Sequence, residues 1–162
     1  MPSKPCRATF DTGWLAVDRQ LCFALYASSL AMTKLYRPLL EPLGLTYPQY
    51  LVMLALWERD GAGVGELGER LSLDSGTLTP LLKRLEAAGL LLRLRDAGDE
   101  RRVRVALTAG GRALRRKAEA VPATIAAASG CTLDELSDLT ARLQALRLQL
   151  QANLQKFSPA AA

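Results

Sequence analysis

Residues 74–108 read DSGTLTPLLKRLEAAGLLLRLRDAGDERRVRVALT, and a change of period inside this stretch decides the fold. Leu78, Leu81, Leu82 and Leu85 recur at intervals of three and four, the spacing of one buried helix face, and predict a helix over 76–88. Gly89 ends that pattern. Beyond it, LLLRLR and VRVALT, separated by the charged DAGDERR, predict a two-stranded hairpin with a charged tip. Upstream, residues 64–71 predict a short helix, and SLDS is the tight turn between the two helices. Helix, turn, helix and two-stranded wing predict a mainly α fold with a small β-wing, a winged helix-turn-helix.

The flanks predict long helices. Over residues 15–43 apolar side chains, among them Leu21, Leu25, Leu30, Leu35 and Leu39, keep helical spacing, with Pro38 expected to kink the helix. Gly44 stops it, and Thr46 with Gln49 makes a capping-box signature for a second helix, TYPQYLVMLALWERD, apolar on most faces and therefore central. A helix from about Thr108 to Ser129 follows, ended by Gly130, and Thr132 with Glu135 caps a last one. There Leu136, Leu139, Leu143, Leu146 and Leu150 recur at spacings of 3, 4, 3 and 4, like a coiled-coil seam. The expected organisation is a disordered tail over 1–14, N-terminal helices for dimerisation over 15–60, the DNA-binding region over 61–108, C-terminal dimerisation helices over 109–157 and a tail over 158–162. The expected assembly is a homodimer.

Charge agrees with that reading. The 162 residues carry 21 Lys and Arg against 16 Asp and Glu, a net +5. Between Lys83 and Lys117 there are 11 basic and 4 acidic residues, a balance of +7 that leaves −2 for the rest. A basic patch on a near-neutral body suits neutralisation of duplex phosphates, which releases condensed counterions. The chain has no histidine, so imidazole metal sites and His-based catalysis are excluded. Its three cysteines, Cys6, Cys22 and Cys131, include no C-x-x-C pair, and no metal or cofactor is expected. The longest apolar run, Leu51 to Trp57, is far short of a membrane span, and the expected location is the cytoplasm.

At the start of the second helix Asp74, Ser75, Gly76, Thr77 and Thr79 offer short polar groups to base edges and phosphates, with Lys83 and Arg84 one to two turns on. Arg93, Arg102 and Arg101 line the hairpin, and Asp99 is placed to orient Arg101 for a narrow minor groove. The alternative for Asp74 or Ser75 is an ordinary helix cap, and for the hairpin tip a solvated turn.

The element order, with DSGTLTPLLKRLEAAGLL and DAGDERRVRVALT, resembles the MarR family of dimeric winged-helix transcriptional regulators. The block QLCFALYASSLAMTKLYRPLLEPLGLTYPQYLVMLALWE, residues 20–58, is similar to the organic hydroperoxide resistance regulators within that family. The resemblance implies a repressor, not an enzyme, that binds promoter DNA as a reduced dimer and leaves it when organic hydroperoxide oxidises a cysteine. Cys22 matches the sensing cysteine, and Tyr36 and Tyr47 the two tyrosines that contact it. Ser75, Thr77 and Thr79 then fall on the recognition helix, Asp99 and Arg101 on the wing. Members either pair the sensor with a small thiol or carry a second cysteine that closes an intersubunit disulfide, and Cys131 suggests the second kind.

Elementary geometry adds a constraint. Cys22 and Tyr36 are 14 residues apart, so on one continuous helix they stand about 21 Å apart along the axis. Contact between them therefore calls for a second subunit or a sharp break in the helix. Arg19 and Tyr26 lie within a turn of Cys22, and the thiolate that such neighbours favour is the form that attacks peroxide. By composition alone, a mid-helix cysteine among Leu21, Phe23 and Leu25 is usually a small inert core residue. Three other readings stay open: a regulator answering to a phenolic or lipophilic ligand, a thiol peroxidase, and a sequence-independent architectural DNA binder.

Overall fold

The computed structural model describes residues 12–95, 98 and 102–157. Two compact units divide the chain, the first ending at Arg115 and the second starting at Arg116.

The first unit is built around a buried helix. Helix α1 (Leu21–Leu40) leads through a 3-10 turn at Glu41–Leu43 to Gly44, whose left-handed φ of 67° only a residue without Cβ adopts cheaply. Helix α2 (Tyr47–Glu58) follows, and Gln49 Oε1 accepts from both the Thr46 backbone N–H at 2.8 Å and the Thr46 hydroxyl at 3.1 Å. Tyr50, Val52, Met53, Ala55 and Leu56 of α2 are all buried, because α1, α3, α4 and the sheet pack around it. Strand β1 (Ala62–Gly63), helix α3 (Val64–Leu71), helix α4 (Ser75–Ala87), strand β2 (Leu91–Arg95) and strand β3 (Val103–Leu107) complete a winged helix-turn-helix. Leu78, Leu81, Leu82 and Leu85 are buried as their spacing predicts, each worth about 1.5–3 kcal/mol of hydrophobic burial.

The sheet is antiparallel in the order β1-β3-β2, with Leu91 opposite Leu107 and Arg93 opposite Val105. Its outer strand β1 is only two residues long and is not among the elements that sequence periodicity predicts. Asp60 fixes it: Oδ1 accepts from the N–H groups of Gly61 and of Leu107, each at 2.8 Å.

Helix boundaries differ from expectation at both ends of the chain. The N-terminal helix begins at Leu21, not near Leu15, because residues 12–15 and 17–19 close short i to i−3 turns and Gln20 is extended, serving as the helix cap. Pro38 lies inside α1, as its place in the expected helix has it, and the helix ends two residues later at Leu40, where the 3-10 turn takes over. The single helix expected over 108–129 is two, α5 (Ala109–Ala118) and α6 (Val121–Ser129). Pro122 lacks an N–H to continue α5 and sits instead in the first turn of α6, where none is needed.

In the second unit Ile125 and Ala126 of α6 are buried, Gly130 closes the helix at φ 69°, and α7 (Leu133–Phe157) begins at a complete cap. Glu135 Oε2 accepts from the Thr132 N–H at 2.8 Å while Thr132 Oγ1 accepts from the Glu135 N–H at 3.2 Å. Within α7, Leu139 and Leu150 of the predicted seam are exposed and Leu136, Leu143 and Leu146 half-buried. Among the described residues no helix is long and apolar enough to cross a membrane.

Candidate functional site

The recognition end of the first unit is set by two close approaches. In α3, a Cβ on Gly68 would stand 2.9 Å from the Leu73 carbonyl, and the Gly68 carbonyl accepts from the Leu73 N–H, so glycine permits the tight turn into α4. Asp74 then caps α4: Oδ1 accepts from the Thr77 N–H at 2.8 Å and Oδ2 from the Thr77 hydroxyl at 2.9 Å. These two bonds hold the Asp74 carboxyl below the usual carboxylate range. Asp74 and Thr77 thus have a structural task at the helix start, the alternative that sequence leaves open. Ser75, Gly76, Lys83 and Arg84 lie exposed on α4, away from its buried leucines, and Thr79 is half-buried.

On the wing, Arg93 is committed inward. Its Nε and Nη2 both donate to Glu86 Oε2, at 2.9 and 2.7 Å, and its backbone N–H donates to Glu86 Oε1 at 3.0 Å. This brace joins β2 to α4 and holds the Glu86 carboxyl low, so Arg93 positions the wing instead of standing clear for phosphate. Arg95 and Arg102 are exposed. Asp99 and Arg101, expected at the tip, lie outside the described residues. A cleft of about 780 Å³ opens beside α4, lined among others by Arg59, Gly63, Glu66, Thr79, Arg102 and Arg104, and sequence reading does not anticipate it.

The sensing residues divide between two places. Cys22 is exposed in the first turn of α1, one residue after Leu21. Arg19 belongs to the 3-10 turn before the helix, and Tyr26 is exposed one turn along α1. Tyr36 and Tyr47 come together elsewhere, with ring centroids 4.9 Å apart, and Tyr36 also packs on the buried Tyr50 at 5.8 Å. Burial, reinforced by Tyr47 and Tyr50, pushes Tyr36 up to about 12, and burial raises Tyr47, so both keep their O–H donors at neutral pH. The helix from Cys22 to Tyr36 is unbroken, and the pair sits far from its own cysteine, about 21 Å along the axis. Cys131 is exposed in the second unit, between α6 and α7. Among the described residues no group of three or more His, Cys, Asp or Glu side chains is placed to hold a metal ion.

The proteins to which this chain is similar include transcriptional regulators. The family model described as "Transcriptional regulator SarA/Rot" matches residues 34–117. The chain is 53% identical over 137 residues, 85% of its length and 70% of the relative's, to the HTH-type transcriptional regulator TtmR of Methylorubrum extorquens. It is 49% identical over 132 residues, 82% of its length and 90% of the relative's, to the organic hydroperoxide resistance transcriptional regulator of Bacillus subtilis. Among solved structures, reduced AbfR bound to DNA superposes with a TM-score of 0.68 at 34% identity, over 84% of this chain and 94% of that one. AbfR is from Staphylococcus epidermidis, and its disulfide-formed state matches with a TM-score of 0.57 at 36% identity, over 80% and 91%. With its winged helix, its cysteine-bearing first helix and these relatives, the chain belongs to the MarR and SarA-type DNA-binding transcriptional regulators, of the organic hydroperoxide resistance type, and is not an enzyme.

Proposed function

We propose that this protein is a peroxide-sensing repressor that binds promoter DNA as a reduced homodimer and leaves it when organic hydroperoxide oxidises Cys22. The observation that carries this reading is the separation of Cys22 from Tyr36 along the unbroken α1, with Tyr47 of α2 packed on Tyr36 at the far end. An exposed thiol and a tyrosine pair that its own chain keeps away from it complete one site only when Cys22 of the partner subunit meets the pair. A site shared in this way gives sulfur oxidation leverage on the arrangement of two subunits. The exposed apolar residues of α1 (Leu21, Phe23, Tyr26, Leu30) and of α7 (Leu139, Leu148, Leu150, Leu154) supply surface for that dimer. AbfR, solved both reduced on DNA and with a disulfide formed, supports a redox readout on this fold.

In the bound state α4 enters the major groove, where Ser75, Gly76 and Thr79 face base edges and phosphates, Asp74 and Thr77 hold the helix start, and Lys83 and Arg84 neutralise phosphates. The wing, with Arg102, Asp99 and Arg101, reaches the neighbouring backbone or minor groove, braced by Arg93. With Arg19 and Tyr26 as its neighbours in sequence, Cys22 attacks the hydroperoxide's terminal oxygen as the thiolate; the O–O bond breaks, the alkoxide leaves as an alcohol after taking a proton, and sulfur becomes a sulfenic acid. A second thiol, Cys131 of the partner subunit or a small cellular thiol, condenses with it to a disulfide and releases water. A dithiol reductant restores the repressor, in the compartment that holds the DNA and keeps thiols reduced.

The test is binding of the reduced protein to its upstream DNA before and after stoichiometric organic hydroperoxide, with the same samples run on non-reducing gels. Wild type is expected to release DNA reversibly, and Cys22→Ser to bind but stay bound. Release by Cys22→Ser, or no release by wild type, overturns the proposal. A disulfide-linked dimer identifies Cys131 as the second thiol, and release without one identifies a small thiol.

A further inference from the structure

The tyrosine pair is the start of a longer connection. Tyr50, 2% exposed, carries the Tyr36 contact onward to Trp57, two turns further along α2, in an edge-on contact with centroids 6.3 Å apart and planes at 70°. The indole N–H of Trp57 donates to the Gly111 carbonyl of α5 at 2.8 Å, a contact across 54 residues of sequence. Gly111 has no slack: a Cβ there would stand 1.9 Å from the Leu90 carbonyl. That carbonyl accepts from the Thr108 N–H at 3.1 Å, the Thr108 hydroxyl donates to the Gly89 carbonyl at 2.6 Å, and the Leu90 N–H donates to the Leu85 carbonyl at 3.0 Å. Leu85 is a buried residue of α4, so the series of contacts runs from the tyrosines to the C-terminal end of the recognition helix.

We propose that Trp57 is a positioning residue that passes the state of the Tyr36–Tyr47 pair to α4 through the Gly111 carbonyl. The inference rests on the peroxide-sensing reading above. Close-packed aromatic rings yield little, so a shift of the tyrosine pair is not absorbed at Tyr50 but moves the indole. The indole N–H is the side chain's one polar group, and its bond to a backbone pressed against Leu90 turns that movement into a displacement of the α4–β2 junction. Packing alone does not require a tryptophan here, since a phenylalanine would keep an aromatic ring on Tyr50.

The test compares Kd for operator DNA of reduced and hydroperoxide-treated protein at fixed salt, in wild type and Trp57→Phe. The reduced variant is expected to bind within about threefold of wild type, while the ratio of oxidised to reduced Kd falls about tenfold. An unchanged ratio, with both Kd values weakened in parallel, makes Trp57 merely structural and overturns the proposal. A wild type that never releases DNA fails at the earlier step and takes this inference with it. Should Trp57→Phe not fold, Trp14→Phe leaves Trp57 as the only tryptophan. Its emission is expected to change at the hydroperoxide dose that releases DNA, and an emission unchanged by release overturns the proposal.

Discussion

Helix α4 and helix α7 are both written in leucine at spacings of three and four, yet they end in opposite environments. Leu82 and Leu85 of α4 are 1% and 0% exposed, whereas Leu150 of α7 is 58% exposed and Leu21, at the start of α1, 57%. The α4 leucines find their partners within the same unit, in α2, α3 and the sheet. Of the α7 leucines, Leu136, Leu143 and Leu146 are only half-buried and Leu139, Leu148, Leu150 and Leu154 stay exposed. Periodicity states that a face is apolar; it does not state whether the face is covered by the same chain or by a second one.

Substitution tests that contrast, and the largest effect belongs to the core. Leu85→Ala is expected to destabilise the first unit by about 2–5 kcal/mol, read as a lower midpoint in urea, because it opens a cavity where nothing collapses. Leu150→Glu is expected to leave the helical content unchanged but convert the protein from dimer to monomer in light scattering and weaken DNA binding with it. A Leu150→Glu protein that stays dimeric removes α7 from the proposed interface.

A smaller effect separates the cations of α4 from those of the wing. Lys83→Ala is expected to lower the slope of log binding constant against log salt by about 1, the share of a cation that neutralises one phosphate. Arg93→Ala, by removing the brace on Glu86, is expected to lower thermal stability with little change in that slope. A full unit of slope removed with Arg93 would place it on the phosphate backbone after all.

The smallest effect is a pH dependence. Asp74, Glu86 and Glu135 are all held below the ordinary carboxylate range, Asp74 and Glu135 chiefly by backbone N–H donors and Glu86 chiefly by the Arg93 side chain. A pKa lowered on folding adds stability above the unfolded value, about pH 4, and that stability is lost as pH falls through the folded value. The melting temperature is therefore expected to drop below about pH 4, and less so in Asp74→Asn. An equal drop in that variant assigns the effect to the other two carboxylates.

Much of the fold is legible in local sequence. Gly44 and Gly130, the Thr46–Gln49 and Thr132–Glu135 caps, and the leucines of α4 act through neighbours three or four positions away, and they stand where spacing puts them. The helix boundaries that differ follow from local signals with more weight than apolar spacing. Pro122 marks the division of α5 from α6, and the first true turn of α1 waits for Leu21 because Gln20 is extended. The candidate site is less legible. Asp74 and Thr77, which sequence reads as DNA contacts, spend their side chains on one another, and Arg93 is taken by Glu86, seven residues back on a different element.

Contiguous residues suffice to make this protein a winged-helix regulator: the switch from a period of about 3.6 to one of two, the basic stretch over 83–117 and the block around Cys22 can each be read along the chain. Folding in three dimensions is what brings Tyr36 and Tyr47 to each other and not to their own Cys22, adds β1 to the sheet and carries Trp57 to Gly111. Those pairings join residues separated by up to 54 positions. They arise when amphipathic elements pack around α2, and no local pattern records which distant partner closes each contact.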